Sequence, residues 1–275
     1  MTKRTRKSNI EDRLVDLTQV NSPTIITVYG RPGSGKTTFA STGPKPQLFI
    51  DVKDKGTDSA KHADLEEGDI TVFQLKEFDD IYDIYDYIVD NPNTYKSVVI
   101  DHMTALQDLS HEKAMKGENK TIMSQRLYGE SSSYLKEIIA LYKDLTDLGI
   151  TPIFIAQDRT DAEGDGEDQL APEVGPALMP SIARSLSASS RIIGHAYQQE
   201  RVEKTADMKV DRTIEYRLRL GPDPYYLTKV TRPKGTYCPD YLVDPHYDQL
   251  MEIVNGEYTP PKPKRVRKRT RKSRK

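Results

Sequence analysis

The sequence predicts an α/β fold: a mainly parallel sheet flanked by helices, with antiparallel strands at its C-terminal edge. Three observations predict it. Short apolar runs (TIITVYG, QLFIDV, SVVID, TPIFIAQ) are separated by stretches of helical periodicity, the alternation expected of a sheet buried on both faces. The first run leads directly into GRPGSGKTT, a glycine-rich passage from strand to helix. The last third (RIIGHAY, TIEYRLRL, YYLTKV) reads as a β-rich finish. At 275 residues the chain is long enough for one large core with a small appendage.

The elements follow in order. Residues 1–21 are a basic start and a short amphipathic helix with Ile10, Leu14 and Leu17 on one face. Residues 22–256 form the main domain. It opens with the strand TIITVYG and the short helix KTTFAS, then the strands QLFIDV and ITVFQL. FDDIYDIYDYIVD is expected as an amphipathic helix with its tyrosines packed on the sheet, followed by the strand SVVID. A long helix runs from about Met123 to Leu148, with Leu135, Ile138, Ile139, Tyr142, Leu145 and Leu148 at steps of three and four. The strand TPIFIAQ, an acidic glycine-bearing loop and the β-rich finish come next. DPHYDQLMEIVNG is a last helix ended by Gly256. Residues 257–275 are a basic tail.

Gly30-x4-Gly35-Lys36-Thr37 satisfies the phosphate-loop pattern G-x-x-x-x-G-K-[ST] in full, with a strand before it and a helix after. Glycines let backbone N–H groups turn toward phosphates, and the helix N-terminus adds a partial positive charge. Gly30, Arg31, Pro32, Gly33, Ser34, Gly35, Lys36, Thr37 and Thr38 are therefore the candidate nucleotide-binding residues, with ATP as cofactor. Lys36 is expected to reach the β- and γ-phosphates and the Thr37 hydroxyl to ligate Mg²⁺. SVVID ends a buried strand on Asp101, which suits the carboxylate that positions the metal from the other side.

The formal charge of -1 conceals a strong separation. Residues 260–275 hold ten Lys or Arg and the first eight residues four, neither with an acid. Removing these fourteen from the 41 basic residues leaves 27 against 42 acids, about -15 over residues 9–259. Such a tail cannot bury a core and is expected to be disordered until it meets a polyanion. Lys262, Lys264, Arg265, Arg267, Lys268, Arg269, Arg271 and Lys272 are the candidate DNA-binding residues.

The order of GRPGSGKTT, LFID, VVIDHMTAL, a long helix, TPIFIAQD and GPALMPSIARSLSASSRIIGHA resembles the RecA-core P-loop ATPases. It is most similar to the phage-encoded members associated with single-strand annealing and recombination, over about residues 22–256. The resemblance implies a RecA-like ATPase core, single-stranded DNA as partner, and a homo-oligomeric ring or filament. Single-strand-binding or annealing proteins are further partners it implies, and the host-cell cytoplasm the location. It also implies catalytic roles for Lys36 and Asp101 and for Gln157, which matches the glutamine that senses the γ-phosphate. LTKVTRPKG matches the place where cations reach a neighbouring subunit's phosphates, with Lys229 best placed and Arg232 and Lys234 beside it. Two positions depart from the family. Lys53 stands where an acid activates the attacking water, leaving Asp51 or Asp54 as substitutes, or slow hydrolysis. Residues 158–173, where the family binds DNA, carry seven acids against Arg159 alone.

Several classes are set aside. No apolar stretch approaches the roughly 18 residues that span a bilayer, so no membrane partner is expected. The basic N-terminus lacks the apolar region of a signal peptide. Cys238 is the single cysteine, and the five histidines show no ligand spacing, so neither a disulfide framework nor a zinc site is expected. Asp161, Glu163, Asp165 and Gly166 half-match a calcium loop, but Pro172 stands at its twelfth position. His102 is read as a packed residue. Three functions remain: a RecA-like recombination ATPase, a P-loop small-molecule kinase, and a nucleotide-switched DNA-binding or assembly factor that does not hydrolyse. The kinase is disfavoured because the mid-chain loops lack an arginine-rich lid.

Overall fold

The computed structural model describes residues 24–53, 56–61, 65–160, 174–204 and 210–260. The amphipathic segment at 10–20, Asp54, most of the acidic stretch with its half-matched calcium loop, and the tail cations Lys262 to Lys272 lie outside the described residues.

Apolar alternation builds the centre. β1 (Ile26–Gly30), β2 (Gln47–Val52), β4 (Ser97–Asp101) and β5 (Thr151–Ala156) are buried nearly throughout, as strands covered on both faces must be. β3 (Ile70–Leu75) is the more exposed edge. With β8 (Ile192–Lys204), β9 (Val210–Arg219), β10 (Lys229–Val230) and β11 (Tyr241–Val243) they form a nine-stranded sheet. Its order is β3-β2-β4-β5-β1-β8-β9-β11, with β10 also on β8. Every pairing from β3 to β8 is parallel, and β9, β10 and β11 pair antiparallel. The expected α/β architecture with an antiparallel C-terminal edge is what the chain adopts.

Successive strand residues feed opposite layers. Val98 and Ile100 join the larger cluster with α2 (Asp80–Asp90), α3 (Met103–Gly117), α4 (Gln125–Asp144) and α5 (Pro180–Ser189). Val99 joins the smaller one with α1 (Lys36–Ala40) and α6 (Tyr247–Asn255). Each fully buried Val, Ile or Phe contributes about 1.5–3 kcal/mol.

Five features differ from expectation. α3 was not anticipated as a helix because its buried face includes Ala105, Ser110 and Ala114, which blur the apolar period. α5 begins on Pro180 at a helix start and buries only Ile182 and Leu186. A small hairpin, β6 (Asp158–Thr160) with β7 (Val174–Pro176), frames the acidic stretch. In α2 the isoleucines 81, 84 and 88 form the buried stripe, while Tyr87 is exposed and Tyr82 and Tyr85 are only partly buried. α4 keeps its expected face as far as Leu145; a 3₁₀ turn over Leu145–Leu148 then carries Leu148 into solvent. α6 ends at Gly256, whose φ of 80° is left-handed.

Candidate active site

The site sits at the carboxyl ends of three adjacent strands, β1, β5 and β4, the usual crevice of an open α/β sheet. β1 ends on Gly30. A Cβ there would lie 2.2 Å from the Ala196 carbonyl oxygen of β8, so only glycine lets the two strands close up. The loop turns back at Gly35, at φ 87°, and enters α1.

Lys36, 6% exposed, is folded over the loop. Its ammonium donates to the carbonyls of Gly30 and Arg31, both at 2.8 Å, and lies 3.4 Å from Gln157 Oε1. Burial pulls its pKa below the ordinary lysine value, opposed by the charges of Asp101 and Asp158. The Thr37 hydroxyl donates to Asp101 Oδ2 at 2.7 Å. Gln157 is fixed through its backbone, its N–H donating to Thr104 Oγ1 at 3.1 Å and its carbonyl accepting from Ala177 N–H at 2.7 Å. Four residues expected to act together (Lys36, Thr37, Asp101, Gln157) thus converge where three adjacent strands end. Thr37 and Asp101 offer two hard oxygens to one point, the donor set that Mg²⁺ accepts alongside phosphate and water. Among the described residues no group of three His, Cys, Asp or Glu gathers as a metal cluster.

A sequence model described as an AAA domain matches residues 22–229, from just before the first strand into β10. The chain belongs to the AAA domain family. No curated protein matches it. The AAA domain therefore carries a nucleotide-binding P-loop, and the converging residues are the candidate phosphate site.

Other expected residues fall elsewhere. Lys229, on β10 opposite Ile193, is three β8 residues (about 10 Å) from Ala196 at the loop, and donates to the Ser187 carbonyl at 2.9 Å. Lys53, at φ 69°, turns its ammonium to Glu112 at 2.7 Å. Asp51 is buried and in register with Asp101. His102 accepts from the Ala105 N–H and caps α3, in keeping with a packed role.

Two cavities flank the loop of the AAA domain, and neither is legible in the sequence. One, of about 360 Å³, lies along α1 between Gly35, Thr38, Phe39, Tyr216, Pro245 and His246. The other, of about 460 Å³, opens on the far side against Arg31, Ser34, Asp158, His195, Tyr197 and Tyr226. Their walls come from β8, β9 and the turn before α6, segments far from the loop in sequence whose adjacency depends on the strand order.

Proposed function

We propose that this AAA domain is a RecA-like, ATP-hydrolysing protein that binds single-stranded DNA and promotes recombination, annealing or repair of the kind associated with the phage-encoded RecA-core proteins that its sequence resembles. The observation that carries the ATPase half is the convergence of Lys36, Thr37, Asp101 and Gln157 at adjoining strand ends. Lys36 takes the β- and γ-phosphates, and Gln157 beside it registers whether the γ-phosphate is there. Thr37 and Asp101 hold Mg²⁺, which when bound neutralises charge on the phosphates. The 360 Å³ cavity takes the nucleoside, its base against Tyr216 and Pro245. The DNA half rests on composition: an acidic body whose strongest polyanion-binding segment is residues 260–275. A homo-oligomer in which Lys229 serves a neighbour's nucleotide fits its distance from its own loop. No helix of the described residues is long and apolar enough to cross a membrane.

The ion pair of Lys53 with Glu112 favours a second reading, a nucleotide-switched assembly factor without turnover. Turnover with and without single-stranded DNA separates the two. DNA-stimulated release of phosphate supports the ATPase, and tight ATP binding without release supports the switch. Lys36→Ala is expected to abolish ATP binding, and Asp101→Asn to weaken Mg²⁺-dependent turnover more than binding. Equal ATP affinity in Lys36→Ala and the parent, by calorimetry, would remove the phosphate-loop assignment.

A further inference from the structure

We propose that Asp158, oriented by His195, is the carboxylate that receives the attacking water's proton, filling the role that Lys53 cannot. This rests on the ATPase reading above. A lysine ammonium held by Glu112 is no proton acceptor, so a carboxylate elsewhere has to take that role.

The terminal phosphate must lie against the Lys36 ammonium, and two carboxylates act on that ammonium: Asp101 and Asp158. Asp101 already accepts from Thr37, on the metal side. Asp158 follows Gln157 directly, and Gln157 is tied at both its N–H and its carbonyl, so the start of the Asp158 side chain is fixed beside the loop. Among the described residues, His195 Nε2 lies 3.8 Å and Arg31 Nε 3.9 Å from its carboxylate. Both are beyond hydrogen-bond reach, so the carboxylate keeps acceptor capacity for a water. Asp158 also lines the 460 Å³ cavity, which gives water a route to the loop past Arg31 and Ser34. The Ser34 hydroxyl oxygen is buried there without a hydrogen-bond partner among the described residues.

His195 is a positioning residue. It is 5% exposed and stacks with Tyr226, ring centroids 4.4 Å apart, and with Tyr197, at 5.8 Å. Burial pushes its pKa down to about 4, so the ring is neutral at pH 7. Its Nε2 faces Asp158, while Nδ1 has no hydrogen-bond partner among the described residues. With the proton on Nε2, the ring aims a dipole at the carboxylate and biases its orientation without taking its proton.

In the step, the water oxygen bonds to the γ-phosphorus and the bond to the β–γ bridging oxygen breaks. Its electron pair stays on the β-phosphate of ADP. The water proton passes to the Asp158 carboxylate and then to solvent through the cavity, leaving ADP and inorganic phosphate.

The test uses the full chain with ATP and Mg²⁺, measuring turnover, and calorimetric binding of a non-hydrolysable ATP analogue. Asp158→Asn is expected to lose about 100-fold or more in kcat, the low end for removing a general base, with nucleotide affinity within about 3-fold of the parent. Asp158→Glu is expected to keep more turnover than Asp158→Asn. His195→Gln, which keeps an N–H near the Nε2 position, is expected to keep more than His195→Ala at equal nucleotide affinity. Turnover of Asp158→Asn within about 3-fold of the parent overturns the proposal, and so does loss of nucleotide binding in that variant. A parent with no more turnover than Lys36→Ala is a different result: it overturns the ATPase reading itself.

Discussion

Lys36 carries a charge that its surroundings discourage, and it stays buried because the loop's own carbonyls and two nearby carboxylates compensate. His195 resolves the same conflict in the opposite way, by giving up its charge. Its pKa of about 4 lies well below the ordinary 6.5, with burial the leading cause. Asp158 on β6 favours the charged form, while Arg219 on β9 and Arg31 in the loop oppose it. The stacked Tyr226 and Tyr197, and Tyr29 on β1 at 5.1 Å, complete the surroundings. Because the folded state holds the ring neutral, the unfolded chain binds more protons between pH 6.5 and 4. This histidine's contribution is therefore intact above pH 6.5 and is lost as pH falls toward 4. Between pH 7 and 5 the linkage is worth about 2 kcal/mol. Urea unfolding of His195→Gln is expected to show a smaller loss of stability over that interval than the parent does. An identical pH dependence would mean that His195 is not the group responsible.

At the scale of elements, what the sequence made legible depended on how a buried face is written. β1, β2, β4 and β5 are runs of Ile, Val and Phe, and α4 repeats large apolar residues every three or four positions, so each was readable. α3 was not, because it meets α4 through small polar side chains. Ser110 and Ser131 are both fully buried and share a hydrogen bond at 2.6 Å, a contact that looks like surface in sequence. The candidate phosphate side was legible because a loop motif fixes its own geometry, and Asp101 and Gln157 stand at the ends of readable strands. Asp158 and His195 were not, since their meeting depends on β8 lying beside β1 with His195 in register with Tyr29. Lys229 shows the converse: its strand was expected, but only two residues of it form. β10 takes the edge of β8 at Ile192 and Ile193, below the start of β9 at His195, and this places Lys229 away from its own phosphate loop. If it acts across an interface, mixing Lys229→Ala with Lys36→Ala subunits is expected to restore part of the activity. Each mixed interface can then pair one intact loop with one intact cation. Absence of rescue at every ratio, with both variants still oligomeric, would count against a shared site.

The whole molecule is electrostatically divided, and that division is read from the sequence alone. Residues 9–259 carry about -15, and residues 260–275 carry ten cations without an acid. A body of that charge repels nucleic acid, so the proposed DNA affinity is assigned to the basic segment that opposes it. A solubilising tail and an import signal use the same composition, but neither predicts a particular response to salt. Phosphate contacts do, because each one releases counterions from the strand. With about six of the ten cations engaged on single-stranded DNA, log K is expected to fall against log[salt] with a slope near -4, from roughly -0.7 per contact. Deleting residues 260–275 is expected to flatten that slope and weaken binding to all sequences alike, while ATP binding at Lys36 is unchanged. The two readouts separate the halves of the proposed function. An unchanged salt slope in the truncated chain, with ATP still bound, would remove the tail as the DNA-binding element and leave the nucleotide site standing.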